Sequence, residues 1–441
     1  MSSHDAHALS RDEVLVGLDR PTLPILRTIS LVLAAIGLVV FVIGVFVNPA
    51  RAWQALLVNW LFFASISSAG VMFVAVQRIT TARWSRPIIR LLEGYVAFLP
   101  VAVVLLLLIL IFGRHHVFWW TTRTPEIHEK AIYLAPAFFY PRVIGIALLL
   151  TALSVWYIYT CVRLDVGILP EAGASWARGL RERMRRGFRD ERRELHSTHS
   201  LQGRLAVFLA FVFGFGWIVL SWDLSMALDP HFQSTMYGWW FFMGGWVAAL
   251  ASWTIITMAW RRHLGRYDLI QEKHFHDLGK LCFAFTAFWG YITFGQYLVI
   301  WYGNMAEETH WMRLRLIEGW RFPTLLAVGL MFVFPFFGLL SRAAKVFLPT
   351  MVLFASCTIV GLWLVRYLEV YPSIYGPLHD IPLGLWEIGI AAGLLGIWGF
   401  CYLGFMDAFP RVRVLLMTSP FRDEVQVPVD PKTMEPLPAH E

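Results

Sequence analysis

Ten long apolar runs follow one another along the chain, near 28 to 48, 55 to 77, 94 to 113, 142 to 163, 204 to 222, 236 to 260, 280 to 302, 322 to 340, 346 to 365 and 383 to 405. Each is long enough to cross a hydrocarbon core of about 30 Å, which takes roughly 20 helical residues. None shows the two-residue alternation of a membrane barrel strand, so the pattern predicts ten transmembrane helices and an all-α polytopic membrane protein. Residues 1 to 27 are polar and mixed in charge, without the apolar stretch or small-residue cleavage site of a signal peptide, and are expected to remain as an N-terminal segment.

Composition agrees with that class. The 441 residues are 58% hydrophobic and only 15% charged, more apolar surface than a soluble domain can hide. The Lys and Arg are unevenly spread: alternate segments beginning with the N-terminus hold 28 of them, and the intervening loops 9. The positive-inside rule then predicts cytoplasmic N- and C-termini. Much of the net +7 sits in RGLRERMRRGFRDERR before span five, which predicts a cytoplasmic loop against anionic lipid and gives no reason to invoke nucleic acid. The Pro-rich tail at 406 to 441 is expected to lie along the same side.

Against this apolar background the segment SWDLSMALDPHFQSTMYG, Ser221 to Gly238, stands out, because it carries Asp223, Asp229 and His231 with no Lys or Arg. Acids beside membrane spans point to function more often than to solubility. Topology puts this segment outside. There Asp223, Asp229, His231 and Tyr237, with Glu387 at the start of span ten and Arg366, His379 and Asp380 after span nine, form a set able to accept protons from, and hydrogen-bond, an amphipathic ligand. The structural alternative is that Asp229-Pro230 starts a turn and Asp223 anchors span five. A second set, His276, Asp277, Lys280, Tyr291 and Gln296 of span seven with Thr254 of span six, could form a proton path from the inner side, or serve as interhelical glue, with Asp277 simply paired to Lys280. Glu93, at the inner entrance of span three, is a further suspect.

Cysteine and histidine usage bounds the chemistry. Cys161, Cys282, Cys357 and Cys401 all fall in predicted spans without a CxxC pair, and no histidine lies mid-span. An iron-sulfur cluster, a haem or a structural zinc held by this chain is therefore not expected. Span two opens Asn59-Trp60-Leu61-Phe62-Phe63 and span six Gly238-Trp239-Trp240-Phe241-Phe242, each followed by small residues. That echo predicts a repeat of four helices: two four-helix bundles, about 55 to 222 and 236 to 365, with spans one and ten flanking them in a membrane domain of residues 28 to 405.

Three strings carry a family resemblance: SWDLSMALDPHFQSTMYGWW, DLGKLCFAFTAFWGYITFGQYLVIWYGNMAEET, and Lys130-x-x-Tyr133-Leu134-x-x-x-Phe138-Phe139-x-x-Arg142. With them the chain resembles the second NrfD-like membrane component of alternative complex III, a bacterial quinol:cytochrome c (or other acceptor) oxidoreductase, over about residues 25 to 410. The resemblance implies a multi-pass subunit of the bacterial cytoplasmic membrane, beside a sister NrfD-like quinol-binding subunit and under extracytoplasmic iron-sulfur and multihaem c subunits. It implies a role in quinol oxidation or proton translocation, with quinone as ligand and the redox centres in the partners. A membrane anchor of another quinone-linked oxidoreductase and a secondary transporter are the alternatives. The transporter is less favoured because the charges read as lying near the interfaces.

Overall fold

The computed structural model describes residues 11–18, 20–123 and 125–414. Ten helices long and apolar enough to cross a membrane account for the expected spans: α1 (Pro24–Val47), α2 (Pro49–Ile79), α3 (Ile89–Val117), α4 (Pro136–Ile168), α5 (Glu191–Leu228), α6 (Tyr237–Leu264), α7 (Glu272–Gly303), α8 (Arg321–Gly338), α9 (Leu348–Tyr375) and α10 (Leu385–Ala408). No strand occurs among the described residues. An even number of spans brings Pro24 and Ala408 to one face, called here the terminal face; the other is the far face.

The helices pack as two rings of four. In the first, α2, α3, α4 and α5 are each in contact with the next and α5 closes on α2; in the second, α6, α7, α8 and α9 do the same. The rings meet through α2 against α6, flanked by α5 on α6 and α9 on α2, so exchanging the rings maps the junction onto itself. The sequence echo thus marks the two central helices. The apolar stretch of α2 is 100% buried and that of α6 78% buried. Small residues permit this approach: a Cβ on Gly245 of α6 would stand 2.9 Å from the Cβ of Ser65 on α2. Tryptophans then pin the flanks, Trp363 of α9 donating to Asn59 Oδ1 at 2.8 Å and Trp217 of α5 stacking on Phe241 of α6 at 5.6 Å.

α1 and α10 form the closest helix pair and lie against α2. Their backbones touch at Gly37 and Gly393, where a Cβ on Gly393 would sit 2.6 Å from Gly37 Cα. Two helices carry a single π-turn, Ile109–Gly113 in α3 and Gly329–Val333 in α8. The second immediately precedes Pro335, whose missing N–H cannot close the regular ladder.

Several helices outrun the apolar windows that announce them. α5 begins at Glu191 rather than 204, and α9 continues to Tyr375 rather than 365. Hydropathy registers only the apolar stretch, whereas backbone hydrogen bonding continues wherever side chains find partners. Arg366 is therefore inside α9 and buried, not in a loop after it. The arginine-rich loop also departs from expectation. It contains a short helix, Arg178–Arg185, and part of its charge is turned inward. Arg185 donates to Val166 O (2.8 Å) and Leu169 O (3.1 Å) at the open C-terminal end of α4, and buried Arg181 to Ala174 O and Ala408 O, both at 3.0 Å. The carbonyls of Val166, Leu169 and Ala408 are among those a helix end leaves unsatisfied. After α10 the chain turns back into the terminal face, burying Arg411 to Val414, rather than lying along it. The rest of the expected tail lies outside the described residues.

Gly393→Leu should drive α10 off α1. The expected outcome is a lower melting temperature of the detergent-solubilised chain than for Gly404→Leu, where a Cβ meets nothing within 4 Å.

Candidate functional site

At the far face, five helices end around three buried acid–arginine pairs. Asp223, in the last turns of α5, is fully buried and bound at both oxygens by Arg142 of α4, Nε to Oδ2 at 2.9 Å and Nη2 to Oδ1 at 2.8 Å. The guanidinium lies 3.9 Å from the Tyr133 ring and 4.4 Å from that of Phe138. Fork geometry and aromatic faces are what arginine uses best. The Lys130–Tyr133–Phe138–Arg142 spacing is thereby explained. The short helix His128–Tyr133 carries Tyr133 to Arg142 and aims Lys130 Nζ at Pro230 O (2.5 Å) and Phe232 O (3.1 Å). Burial, then the Asp223 charge, pushes the Tyr133 phenol up; burial pulls Lys130 down.

Asp229 is buried, and its Oδ1 accepts from the backbone N–H of His231 and of Phe232, each at 3.1 Å. It shapes a turn. His231 is left exposed, while Phe232 stacks on Trp311 at 4.6 Å. Of the two acids between Ser221 and Gly238, Asp223 is therefore an anchor and Asp229 a turn former.

The second pair is within α9. Arg366 and Glu369, three residues apart, bond at 2.6 Å, and Arg366 also donates to Phe241 O at 2.7 Å. Ser225 reaches Glu369 Oε2 at 3.3 Å and shares a 2.6 Å hydrogen bond with the buried phenol of Tyr237. Arg315, from the helix Ala306–Leu316, donates to Leu368 O (2.9 Å), Trp311 O (2.8 Å) and Ser373 Oγ (2.9 Å). Burial pulls Arg315 down to about 10, so it stays cationic at neutral pH. Glu369 and Arg315 escape the sequence reading, because both lie beyond the end of an apolar run and read as loop. A possible signal is the three-residue spacing of Arg366 and Glu369, right for an ion pair on a helix that continues.

Glu387, in the first turn of α10, makes the third pair. Arg51 donates to both its oxygens at 3.0 and 2.7 Å, Tyr371 to Oε1 at 2.8 Å, and the Gly384 N–H to Oε2 at 2.8 Å. His379 and Asp380 are not part of this network; the longer α9 carries their loop to the exposed surface.

Beside the second pair a groove of about 700 Å³ runs between the end of α5, the loop at 225 to 236 and the far half of α7. Trp222, Met226, Ser234, Met236, Ile292 and Gln296 line its interior. Its flank holds Tyr291 and Val299, 69% and 68% exposed on an apolar helix face, so the groove opens sideways where lipid would be. Gln296 is buried and donates to Ser234 Oγ at 3.2 Å. The indole N–H of Trp222 is buried without a partner among the described residues. Glu308 closes one end.

The expected ladder on α7 is only partly formed. Buried positions Cys282, Thr286, Trp289, Ile292, Gln296 and Ile300 recur every three or four residues, and Tyr291 falls off that face. It points outward and does not join the path. Thr254 gives its hydroxyl to Leu250 O of its own helix at 2.9 Å. Asp277 and Lys280 pair at 2.7 Å in a partly exposed position, with His276 half-buried next to them. His274 is buried and caps α7, its Nδ1 accepting from Gln271 N at 2.9 Å. Four buried polar atoms on α6 and α7 nonetheless have no partner among the described residues: Trp246 Nε1, Thr257 Oγ1, Thr286 Oγ1 and Trp289 Nε1. Glu93 joins a separate buried cluster at the terminal face, with Arg90, Asp165 and Arg413.

The fold defines an all-α, multi-pass membrane protein. Among the described residues no three His, Cys, Asp or Glu side chains gather as a metal site. No model of a known protein family matches the sequence, and no curated protein does.

Replacing Asp223 by Asn strands Arg142 in a buried site. Losing one partner of such a pair costs about 3–5 kcal/mol, and the expected result is reduced thermal stability that Asp223→Leu combined with Arg142→Met recovers in large part. A melting curve of each purified variant checks it.

Proposed function

We propose that this chain is a membrane subunit of a bacterial quinol-oxidising complex of the alternative complex III type, with both termini in the cytoplasm and the redox centres in partner subunits. The observation that carries the reading is the sideways groove. Its volume falls in the roughly 300–1,000 Å³ range of small-molecule sites, with apolar walls and a few convergent polar groups. A lipid-soluble quinol enters such a groove from the bilayer with its tail toward the exposed flank and its hydroxylated ring toward Gln296 and Trp222. Oxidation removes two electrons and two protons. The electrons leave to the partners' centres, Glu308 of the groove lining accepts one proton, and the other passes to water at the far face.

Under this reading the acids of the outer segment position the groove rather than react. Ser225 and Tyr237 are chain neighbours of the lining residues Met226 and Met236, so the Glu369–Ser225–Tyr237 hydrogen bonds brace the loop that forms one wall. The topology rests on the excess of Lys and Arg at the terminal face.

Two measurements test the proposal. Purified from its native membrane under mild detergent, the chain should bring with it subunits showing haem absorbance; isolation without any redox-active partner counts against the complex. In the assembled complex, Gln296→Leu and Trp222→Phe should each lower kcat/KM for quinol about tenfold, the effect of about 1.4 kcal/mol, with subunit composition unchanged. Normal turnover in both variants would remove the groove from the reaction.

A further inference from the structure

At the terminal face the first ring of helices encloses a buried cluster of charge. Glu93 and Asp165 are buried on α3 and α4, and Arg90 bonds to both, at 2.6 Å for Glu93. The second countercharge comes from beyond α10: Arg413 Nε lies 2.5 Å from Glu93 Oε1. The segment bearing it is not helical over residues 409–413. It is tied down by side chains, with Arg411 donating to Leu18 O at 3.2 Å and lying 4.9 Å over the Trp260 ring, and Val412 and Val414 buried. The neighbouring Asp407 O accepts from Ala174 N at 2.7 Å, joining the loop after α4 to the same structure.

Closure is incomplete beneath this segment. Arg90 Nε, Arg413 Nη2 and the hydroxyl of Tyr157 are buried without hydrogen-bond partners among the described residues. Each would gain water if the segment lifted. Withdrawal takes Arg413 from Glu93, and losing one partner of a buried pair is strongly destabilising while the remaining charge stays dry. Water that follows the segment in is what offsets that cost, so withdrawal and wetting have to occur together.

We propose that residues 409–414 form a removable plug, in which Arg413 seals a polar chamber between α3 and α4 and whose withdrawal admits water from the terminal face to Arg90, Glu93 and Asp165. The chamber lies on the opposite face from the groove, and this inference does not depend on the quinol reading.

Cys161, buried one helical turn from both Asp165 and Tyr157 on α4, is a built-in reporter. The full chain in native membranes, with Cys282, Cys357 and Cys401 changed to Ser, is treated with a water-soluble maleimide. Labelling of Cys161 should be slow, should rise at least tenfold on Arg413→Gln or on truncation after Pro410, and should stay slow in Arg413→Lys. The double variant Glu93→Gln/Arg413→Gln, which restores charge balance, should accumulate as folded protein even if Arg413→Gln alone does not, and should label more slowly than the truncated chain. A labelling rate unchanged by truncation overturns the plug, and so does a double variant that labels as fast as the truncated chain.

Discussion

Arg366 and Glu369 stand three residues apart on α9, inside an apolar helix, and neither can reach bulk water. Lipid offers no hydrogen bonds, so a charge carried into this fold has to be cancelled by another part of the chain. The same requirement recurs at Asp223 with Arg142, at Glu387 with Arg51, and at the Arg90 cluster. Each pair joins segments distant in sequence or bridges a helix to its neighbour's backbone, so the charges act as fasteners between helices whose apolar faces would slide without cost against one another or against lipid. Arg315 shows the principle most fully, since one guanidinium takes up backbone carbonyls near the end of α9 from the short helix Ala306–Leu316, which is not one of the ten spans.

Arginine supplies the cation in every one of these pairs. Its fork can engage two carboxylate oxygens at once, and its flat face tolerates aromatic cover, as with Tyr133 and Phe138 around Arg142. A lysine at position 142 would serve one oxygen and lose the sandwich. Rigidity at the far face therefore comes from planar pairs and stacked rings, and the groove is the place where that packing is left open along the loop at 225 to 236.

How much of this was legible in the sequence depends on range. The ten helices were, because each apolar run is a local signal, and so was the equivalence of α2 and α6 within a four-helix repeat; that these two helices pack on each other was not. Asp229 as a turn former was readable from the following proline. The partner of Asp223 was not: Arg142 lies 81 residues away and nothing in either neighbourhood names the other. Arg366 stands out in the sequence but reads as loop, and Glu369 escapes it, because hydropathy falls before α9 ends; Arg315, on the short helix Ala306–Leu316, also reads as loop. His379 and Asp380 do follow α9 but stand exposed, away from the acid–arginine pairs, and Tyr291 joins the path only when hydroxyls on α7 are read without asking which face the buried positions share. The groove was invisible, since its walls come from α5, a loop and α7.

α2 is enclosed on all sides by protein, and its neighbours include α9 and α10, the last of the ten described spans to leave the ribosome. During synthesis the chain emerges from its N-terminus, so the second helix made waits for the ninth and tenth before its coat is complete. Until then Asn59 lacks Trp363, and Ser67 lacks Trp398, whose indole it meets at 2.9 Å in the finished fold. The centre of this protein is thus the part finished last. A chain stopped short of α9 has eight membrane helices and an unfinished middle.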